Sequence, residues 1–293
     1  MKILIHADEP LVHALVQTKV DGVVLGVRPF AQRMRETYTP SALEPLVETA
    51  KSHGKSVFLN VNAIIHEGDL EALDYVFDKI RDFPVDGILF ADLSVIEMAD
   101  KYGLRHLLIY DAETYLTNHE DTLFWEGEGV RGTIGARQLT APDILSIAKK
   151  SPLPFGIQGH GHVNMFQSAR PLIENFFSHL DEEQPDRYNN TRLEMVEAKR
   201  EDEPYPIYQD DFGTHVFRSK PMHSFHAFKD FKEVLSYFTV DTLFYDESRV
   251  LTIARDLVKA RDEGVDDTLL KRYEDHDEGF LDKKTVLVQG AVK

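Results

Sequence analysis

Short apolar runs alternate along most of this chain with segments whose apolar residues repeat every three or four positions. Between residues 69 and 83, for example, Leu70, Leu73, Val76 and Phe77 follow that spacing. Such spacing is typical of an amphipathic helix, and the short runs are typical of buried strands. The pattern predicts helices between strands at residues 3–7, 21–26, 57–61, 85–90, 106–110, 131–135, 154–158 and 242–245.

This alternation favours parallel strands covered by helices, because each parallel neighbour has to be reached through a crossover. Eight alternations predict an α/β fold, a TIM-type (β/α)8 barrel that forms a single domain over residues 1–293. A doubly wound open sheet is the alternative, since one strand is easily gained or lost in such a count.

The seventh and eighth predicted strands are separated by an insertion at about residues 178–225. Within it, residues 205–208 and 214–217 alternate around a loop that contains Gly213, which predicts a β-hairpin. The chain from about 261 to 293 is acidic and predicts an irregular tail, with residues 284–288 as a candidate short strand.

The composition excludes several kinds of chemistry. The chain has no cysteine, which rules out disulfides, thiolate catalysis, sulfur-ligated zinc and an iron–sulfur cluster held by this chain. A divalent metal would have to be held by His, Asp or Glu. The 50 Asp and Glu residues against 33 Lys and Arg residues give a net charge of −17, which opposes unaided binding to nucleic-acid phosphates or anionic membranes.

The beginning of the chain predicts no secretory signal, because Asp8 and Glu9 follow the first apolar run too soon. No later run approaches the length needed to span a membrane. We therefore expect a cytoplasmic protein with no membrane partner.

Polar residues follow every predicted strand, at the end where TIM barrels carry their active sites. Any one of these residues could simply cap a helix or face solvent. Their recurrence after eight strands nevertheless indicates a site at the barrel mouth. The residues are Asp8, Arg28, Asn60, Asn62, His66, Asp92, Asp111, Glu113, Arg137, His160, His162, Asp246 and Glu247.

His160 and His162 are the most suggestive of these residues. Two imidazoles two positions apart on an extended segment share a face, which is a common start of a metal site. Glu113 would complete a catalytic group in which a metal activates water. The alternative is that one histidine bonds to backbone while the other is exposed.

Three arginines indicate a second kind of site. Arg28, Arg137 and Arg170 would hold a carboxylate or phosphate, with Asn62 and Ser168 as further substrate-binding residues. The alternative is ordinary salt bridging in an acidic protein. Ser168 is disfavoured as a nucleophile, because the Gly-x-Ser-x-Gly turn of many hydrolases is absent around it.

The segment around the two histidines also carries a family resemblance. Residues 157–170 read IQGHGHVNMFQSAR and resemble the hallmark segment of the collagenase-like peptidases, peptidase family U32. Other blocks resemble the family's shorter members in the same order, so that the resemblance covers nearly the whole chain. They are VNAIIH at 61–66, DAET at 111–114, FW at 124–125, GARQL at 135–139 and PIYQDDFGTH at 206–215.

The resemblance implies a TIM-like barrel and three functional hypotheses. The first is a subunit in prephenate-dependent hydroxylation of the tRNA wobble uridine, with prephenate as ligand. In this hypothesis the partner is a longer, cysteine-containing paralogue, and the chain acts on tRNA through that partner. The second is a metal-dependent, collagenase-like peptidase, and the third is a non-catalytic interaction scaffold. The family commonly has cysteine where this chain has Asn164, so an iron–sulfur cluster would belong to the partner.

Overall fold

The computed structural model describes residues 1–182 and 192–283. The strands, in chain order, are β1 Lys2–His6, β2 Gly22–Val27, β3 Thr37–Tyr38, β4 Ser56–Val61, β5 Gly87–Phe90, β6 Leu108–Tyr110, β7 Gly132–Ile134, β8 Phe155–Gly161, β9 Asn164–Ser168, β10 Glu194–Glu197, β11 Arg200–Asp210, β12 Gly213–Phe217, β13 Met222–His223 and β14 Tyr237–Val240.

Eight of these strands run parallel and form a closed barrel in the order β1, β2, β4, β5, β6, β7, β8 and β14. The ring closes because β14 pairs with β1, where Ile5 lies opposite Val240. The predicted TIM-type barrel is confirmed, and the open-sheet alternative is wrong because an open sheet has no such closing pair.

Helices surround the barrel. They are α1 Glu9–Leu15, α2 Pro40–Ser52, α3 Leu70–Ile80, α4 Ser94–Lys101, α5 His119–Gly127, α6 Ala141–Lys150, α7 Leu172–Leu180, α8 Phe228–Val234, α9 Glu247–Glu263 and α10 Asp267–Lys271. Helix α3 shows why the periodicity was informative, since Leu73, Val76, Phe77 and Ile80 form its buried stripe.

A small apolar cluster fills the barrel interior, with one residue from each of seven strands. It consists of Leu4, Val24, Phe58, Leu89, Ile109, Ile134 and Tyr237. The Phe58 and Tyr237 ring centroids are 5.8 Å apart although β1 and β2 separate their strands, so the two rings meet across the interior. The remaining barrel strand, β8, contributes Gly156, where a Cβ would lie 2.5 Å from the Tyr237 Cβ.

The eighth barrel strand lies earlier than the sequence predicts. The predicted strand at 242–245 is a turn, and the eighth barrel strand is β14 at Tyr237–Val240. All four residues of β14 are buried, so both faces are packed and the usual alternation is hidden. As a consequence, the residue that follows this strand is Asp241 rather than Asp246.

The chain between β8 and β14 contributes a four-stranded antiparallel sheet in the order β10, β11, β12, β9. The predicted hairpin is confirmed by the pairing of β11 with β12, in which Tyr208 lies opposite His215. Strand β9 comes from the segment around the two histidines, so that segment belongs to two different sheets.

The region of the predicted tail contains the end of α9, the short helix α10 and turns up to residue 283. The predicted strand at 284–288 lies outside the described residues, as does 183–191 of the predicted insertion. Among the described residues, no helix is both long enough and apolar enough to cross a membrane.

Candidate functional site

Polar side chains follow the apolar interior cluster toward the carboxyl ends of the strands. His6 comes two residues after Leu4, and Asp111 comes two residues after Ile109. Because alternate residues of a strand share a side, both side chains face the barrel interior above the apolar cluster. Together with Arg33, Glu113, Arg137 and Asp241, these side chains form a polar chamber at the open end of the barrel.

The Asp111–Arg137 pair lies in this chamber. Arg137 Nη2 is 2.9 Å from the Asp111 carboxylate, and the two side chains are only 9% and 11% exposed. Burial raises the pKa of the Asp111 carboxyl above its ordinary value, although the Arg137 guanidinium opposes that shift. Within the described chain, Arg137 Nε has no hydrogen-bond partner. A buried, unused donor of this kind is suited to a bound oxygen atom.

A second ion pair lies beside the first. Arg33 Nη2 donates to Glu113 Oε1 at 2.6 Å, and the Arg33 side chain is 8% exposed. Desolvation raises the pKa of Glu113, but the Arg33 and Arg137 guanidiniums lower it by more. The net result is a pKa below the ordinary value. Glu113 is therefore ionised at neutral pH.

Both members of this second pair have left-handed backbone conformations, with φ of 54° at Arg33 and 63° at Glu113. Asp181 is the other non-glycine residue with positive φ in the described ranges. Such conformations cost of order 1–3 kcal/mol each and gather where a site holds its side chains in fixed positions.

A network of amide side chains holds the Arg33 guanidinium in position. Arg33 Nη1 donates to Gln32 Oε1 at 2.9 Å, and Gln167 Nε2 donates to the same oxygen at 2.8 Å. The Gln32 backbone N–H donates to Asn62 Oδ1 at 2.8 Å. Asn62 therefore orients the loop after β2, and Gln167 of β9 joins that loop to the antiparallel sheet.

The β11–β12 hairpin holds the same loop. Asp210 accepts hydrogen bonds from the Arg33 backbone N–H and from the His215 ring, both at 2.9 Å. The His215 ring bond and charge lower the pKa of Asp210 below its ordinary value, although burial raises it. The hairpin predicted from sequence thus positions a residue of the barrel mouth.

Above these groups, an open cleft of about 490 Å³ leads to the solvent. Its polar lining includes Arg33, Glu113 and Asn164, whose buried Oδ1 has no hydrogen-bond partner among the described residues. Exposed apolar side chains form the rim of the cleft: Ile64, Leu93, Tyr115, Met165 and Phe166. The size and lining suit a small ligand with polar groups at one end.

His160 lies outside this chamber, on the outer face of β8. Thr239 pairs with Gln158 and Val240 with His160, so Gly159 is an extra residue in the ladder. A β-bulge of this kind reverses the side on which the next residue points. The His160 ring is fully buried among four aromatic or imidazole rings, and burial lowers its pKa well below the ordinary value. They are Phe225, Tyr245, Tyr273 and His276.

His162 is bonded to the backbone, with Nδ1 3.0 Å from the Arg218 carbonyl oxygen. Burial lowers the pKa of His162 to about 4, so the ring is neutral at pH 7. No group of three or more His, Asp or Glu side chains in the described ranges is placed to hold a metal ion. The predicted group of His160, His162 and Glu113 is therefore not assembled, because the bulge turns His160 away from the mouth.

The predicted arginines are also separated. Arg137 lies in the chamber, but Arg28 is exposed and lines a neighbouring pocket of about 450 Å³. Arg28 Nε donates a hydrogen bond to Thr37 Oγ1 at 3.2 Å. Arg170 is exposed after β9, where its backbone N–H donates to Ser168 Oγ at 3.3 Å. A role of Arg28, Ser168 or Arg170 in substrate binding stays a prediction.

Sequence reasoning missed three residues of the chamber. Arg33 lies beyond the strand end in a loop, and nothing local distinguishes it from a surface arginine. His6 is the last residue of β1, and its polarity within an apolar run was the available signal. Asp241 was missed because the eighth strand was predicted too late in the chain.

Comparison with known proteins gives the family. The model of peptidase family U32 matches residues 10–285. The chain belongs to peptidase family U32. This U32 chain is 28% identical to tRNA hydroxylation protein P2 of Bacillus subtilis (strain 168) over 206 residues, which are 69% of this chain and 66% of that protein.

The same organism supplies a second relative, tRNA hydroxylation protein P1, which is 24% identical over 162 residues. That match covers 55% of the U32 chain and 38% of P1, so the alignments span less than two thirds of either relative. The solved structure of the U32 peptidase Mk0906 aligns with 82% of this chain and 91% of that chain, with a TM-score of 0.47 and 18% identity.

The glycines of the hallmark segment have a structural reason in this U32 protein. A Cβ at Gly159 would lie 2.1 Å from the Phe238 ring, and one at Gly161 would lie 2.6 Å from the Asp241 carbonyl oxygen. Both glycines therefore let β8 approach β14 closely. The following strand, β9, then brings Asn164 and Gln167 to the cleft.

Proposed function

We propose that this U32 protein is a subunit in the prephenate-dependent hydroxylation of tRNA wobble uridine. The observation that carries the proposal is the polar chamber at the barrel mouth, which holds two buried guanidinium groups below a cleft of ligand size. Membership of the family and the names of the two Bacillus relatives support the choice of reaction.

The chamber suits a small carboxylate such as prephenate. Arg33 and Arg137 are both held in place by carboxylates of the protein, and a ligand carboxylate would exchange with Glu113 or Asp111 as the partner. Arg137 Nε offers a further donor without displacing anything. The apolar rim would cover the ring of such a ligand.

The remaining functions are assigned to a partner. Because the chain has no cysteine, an iron–sulfur cluster would be held by the longer, cysteine-containing paralogue. The net charge of −17 also favours contact with tRNA through that partner. The existence of two distinct relatives in one organism supports such a pair, which would work in the cytoplasm.

A non-catalytic scaffold is the second candidate. Helix α7 favours it, because Leu172, Phe176 and Leu180 are exposed on that helix. Exposed apolar side chains of this number on one short helix are typical of a contact surface for another protein. In this case the chamber would be dispensable for tRNA modification.

One experiment tests both candidates. The gene is deleted, and hydroxylated wobble uridine is measured by mass spectrometry of nucleosides from bulk tRNA. Complementation compares wild type, Arg137→Lys and the control Arg81→Gln, an exposed arginine that pairs with Asp78 and Asp82. Lysine keeps a charge beside Asp111 but removes the Nε–H donor.

We expect the nucleoside to disappear on deletion and to return with wild type and Arg81→Gln. With Arg137→Lys we expect at least a tenfold lower level. An unchanged nucleoside in the deletion strain would refute the proposal. Full restoration by Arg137→Lys, together with loss of modification in Phe176→Glu, would favour the scaffold.

A further inference from the structure

Asp241 directly follows β14 and lies at the mouth of the barrel. Its backbone N–H donates to the His160 carbonyl oxygen at 3.0 Å, so it continues the ladder of β14 with β8. Tyr237 lies four residues earlier and faces the barrel interior. By strand alternation Asp241 faces the same interior, and in the register of β1 with β14 its neighbour is His6.

The side chain of Asp241 is held in place by its surroundings. Its Oδ1 accepts a hydrogen bond from the Leu243 backbone N–H at 3.1 Å. On the other side, a Cβ at Gly161 would lie 2.8 Å from the Asp241 Cβ, and Gly161 has a φ of 108° that side chains rarely adopt. The glycine therefore allows β8 to press against Asp241 and leaves the carboxyl little freedom to turn.

Asp241 differs from the chamber carboxylates Asp111 and Glu113, which both form ion pairs. Asp111 pairs with Arg137 and Glu113 with Arg33. In the ranges 1–182 and 192–283, no Lys, Arg or His nitrogen lies within 4 Å of the Asp241 carboxylate. A carboxyl that is largely removed from water and has no directly paired cation is costly to ionise, so its protonated form is favoured.

Burial raises the pKa of Asp241 to about 7, against the Leu243 N–H, which lowers it. Arg33 and Arg137 also lower this pKa, and Glu113 raises it. On the neighbouring strand, burial lowers the pKa of His6 to about 4, so that imidazole is neutral and its Nδ1 has no partner in the described chain. Burial raises the pKa of Tyr245 well above the ordinary range, and the charge of Asp241 raises it further.

We propose that Asp241 is the proton-transfer residue of the barrel mouth. It exchanges a proton with a small molecule that carries an acidic hydrogen, either on a hydroxyl or on a carbon next to a carbonyl. The carboxylate forms an O–H bond to this hydrogen as the substrate's own bond to it breaks. The electron pair stays on the substrate and ends on an oxygen, to which Arg137 Nε–H donates. The same carboxylic acid later returns the proton, so no further reactant is consumed.

This role rests on the proposed function only for the identity of the reaction. The arrangement of the chamber itself supplies what acid–base catalysis requires. It has a fixed carboxyl that changes protonation near neutral pH, and a separate donor for the oxygen that becomes negative. Asp111 and Glu113 are tied to guanidiniums and serve to place those donors.

The test compares Asp241→Asn with a matched control, Asp246→Asn. Asparagine at 241 keeps an oxygen for the Leu243 N–H but has no proton to exchange. Asp246 lies five residues on, is exposed and caps α9, a role that asparagine performs equally well. Both full-length variants are used for complementation of the deletion strain, with mass spectrometry of tRNA nucleosides as the readout. Carboxyl ¹³C NMR of the purified proteins follows the titration directly.

We expect one carboxyl resonance to titrate near pH 7 in wild type and in Asp246→Asn, and to be absent from Asp241→Asn. We also expect Asp241→Asn to lower the modification by about 100-fold or more, the usual contribution of a general acid–base group. A folded Asp241→Asn protein that is as active as wild type overturns the role of Asp241 and leaves the proposed function standing. A carboxyl that titrates only near pH 4 also overturns it. A deletion strain with unchanged modification overturns the proposed function and the role of Asp241 in it.

Discussion

The candidate site is built around a few side chains whose charges are paired inside the barrel. The Arg33–Glu113 and Arg137–Asp111 pairs place two guanidiniums where they would otherwise not be tolerated, because an isolated buried charge is very costly. Asp241 has no such ion pair within the described chain, and burial raises its pKa to about 7, so its protonation changes near neutral pH.

The raised pKa of Asp241 makes folding depend on pH in a defined direction. The folded state binds the proton up to about pH 7, whereas an unfolded aspartate releases it near 3.8. Asp241 therefore stabilises the fold most below pH 4, and this contribution is lost as the pH rises to about 7. The loss amounts to roughly 4 kcal/mol, at about 1.4 kcal/mol per pKa unit.

We therefore expect the free energy of unfolding of wild type, relative to Asp241→Asn, to fall between pH 4 and pH 7 and to stay level above pH 7. Urea denaturation at a series of pH values measures this difference. Asp246→Asn is the control, and its difference from wild type should show no such fall in that window. A wild-type advantage that grows from pH 4 to pH 7 would contradict the placement of Asp241.

At the scale of elements, the hallmark segment is explained by the contact of β8 with β14. The extra residue Gly159 turns His160 outward, and Gly161 makes room for Asp241 before the chain enters β9. One stretch thus ends a barrel strand, shapes the chamber and supplies Gln167 to support Arg33 through Gln32. Its histidines pack against rings behind the barrel wall.

Gly161→Ala tests this explanation. The new Cβ would meet the Asp241 backbone in a φ region that alanine avoids, so we expect a loss of about 3 kcal/mol in unfolding free energy. Gly127→Ala, at the end of α5 with nothing within 4 Å of its Cβ, should be neutral or slightly stabilising. Equal stability of the two variants by urea denaturation would show that β8 and β14 are not in such close contact.

For the whole molecule, the barrel and the antiparallel sheet share the site. The hairpin of β11 and β12 holds Arg33 through Asp210, while the barrel supplies Arg137, His6 and Asp241. The site is therefore an interface between two sheets that the chain forms at different points. The overall charge of −17 surrounds this interface with a field that repels polyanions.

This charge predicts the behaviour toward tRNA. We expect the purified protein alone to bind tRNA no more tightly than about 100 μM at physiological salt, since nonspecific affinity depends on neutralising phosphates with Lys and Arg. Filter binding with labelled tRNA measures this, and the comparison is a mixture of the protein with the proposed longer paralogue. Micromolar binding by this chain alone would assign tRNA recognition to it instead of the partner.

Local sequence patterns are sufficient to predict the barrel and the hairpin, and the composition excludes thiol chemistry. Alternation of apolar runs and helical stripes is a local signal, and so is the turn around Gly213; the first located seven of the eight barrel strands and the second located the hairpin. The residues at strand ends pointed to Glu113, Asn62 and Arg137 for the same reason, because a position after a strand is a position at the mouth.

Which side chains meet depends on contacts between residues that are distant in the sequence. The bulge at Gly159 belongs to the pairing of β8 with β14, and this long-range register places His160 outside the predicted site. The buried position of β14 concealed its alternation and with it Asp241. Arg33 reaches Glu113 across 80 positions of sequence, a contact that depends on closing the barrel and not on any local pattern.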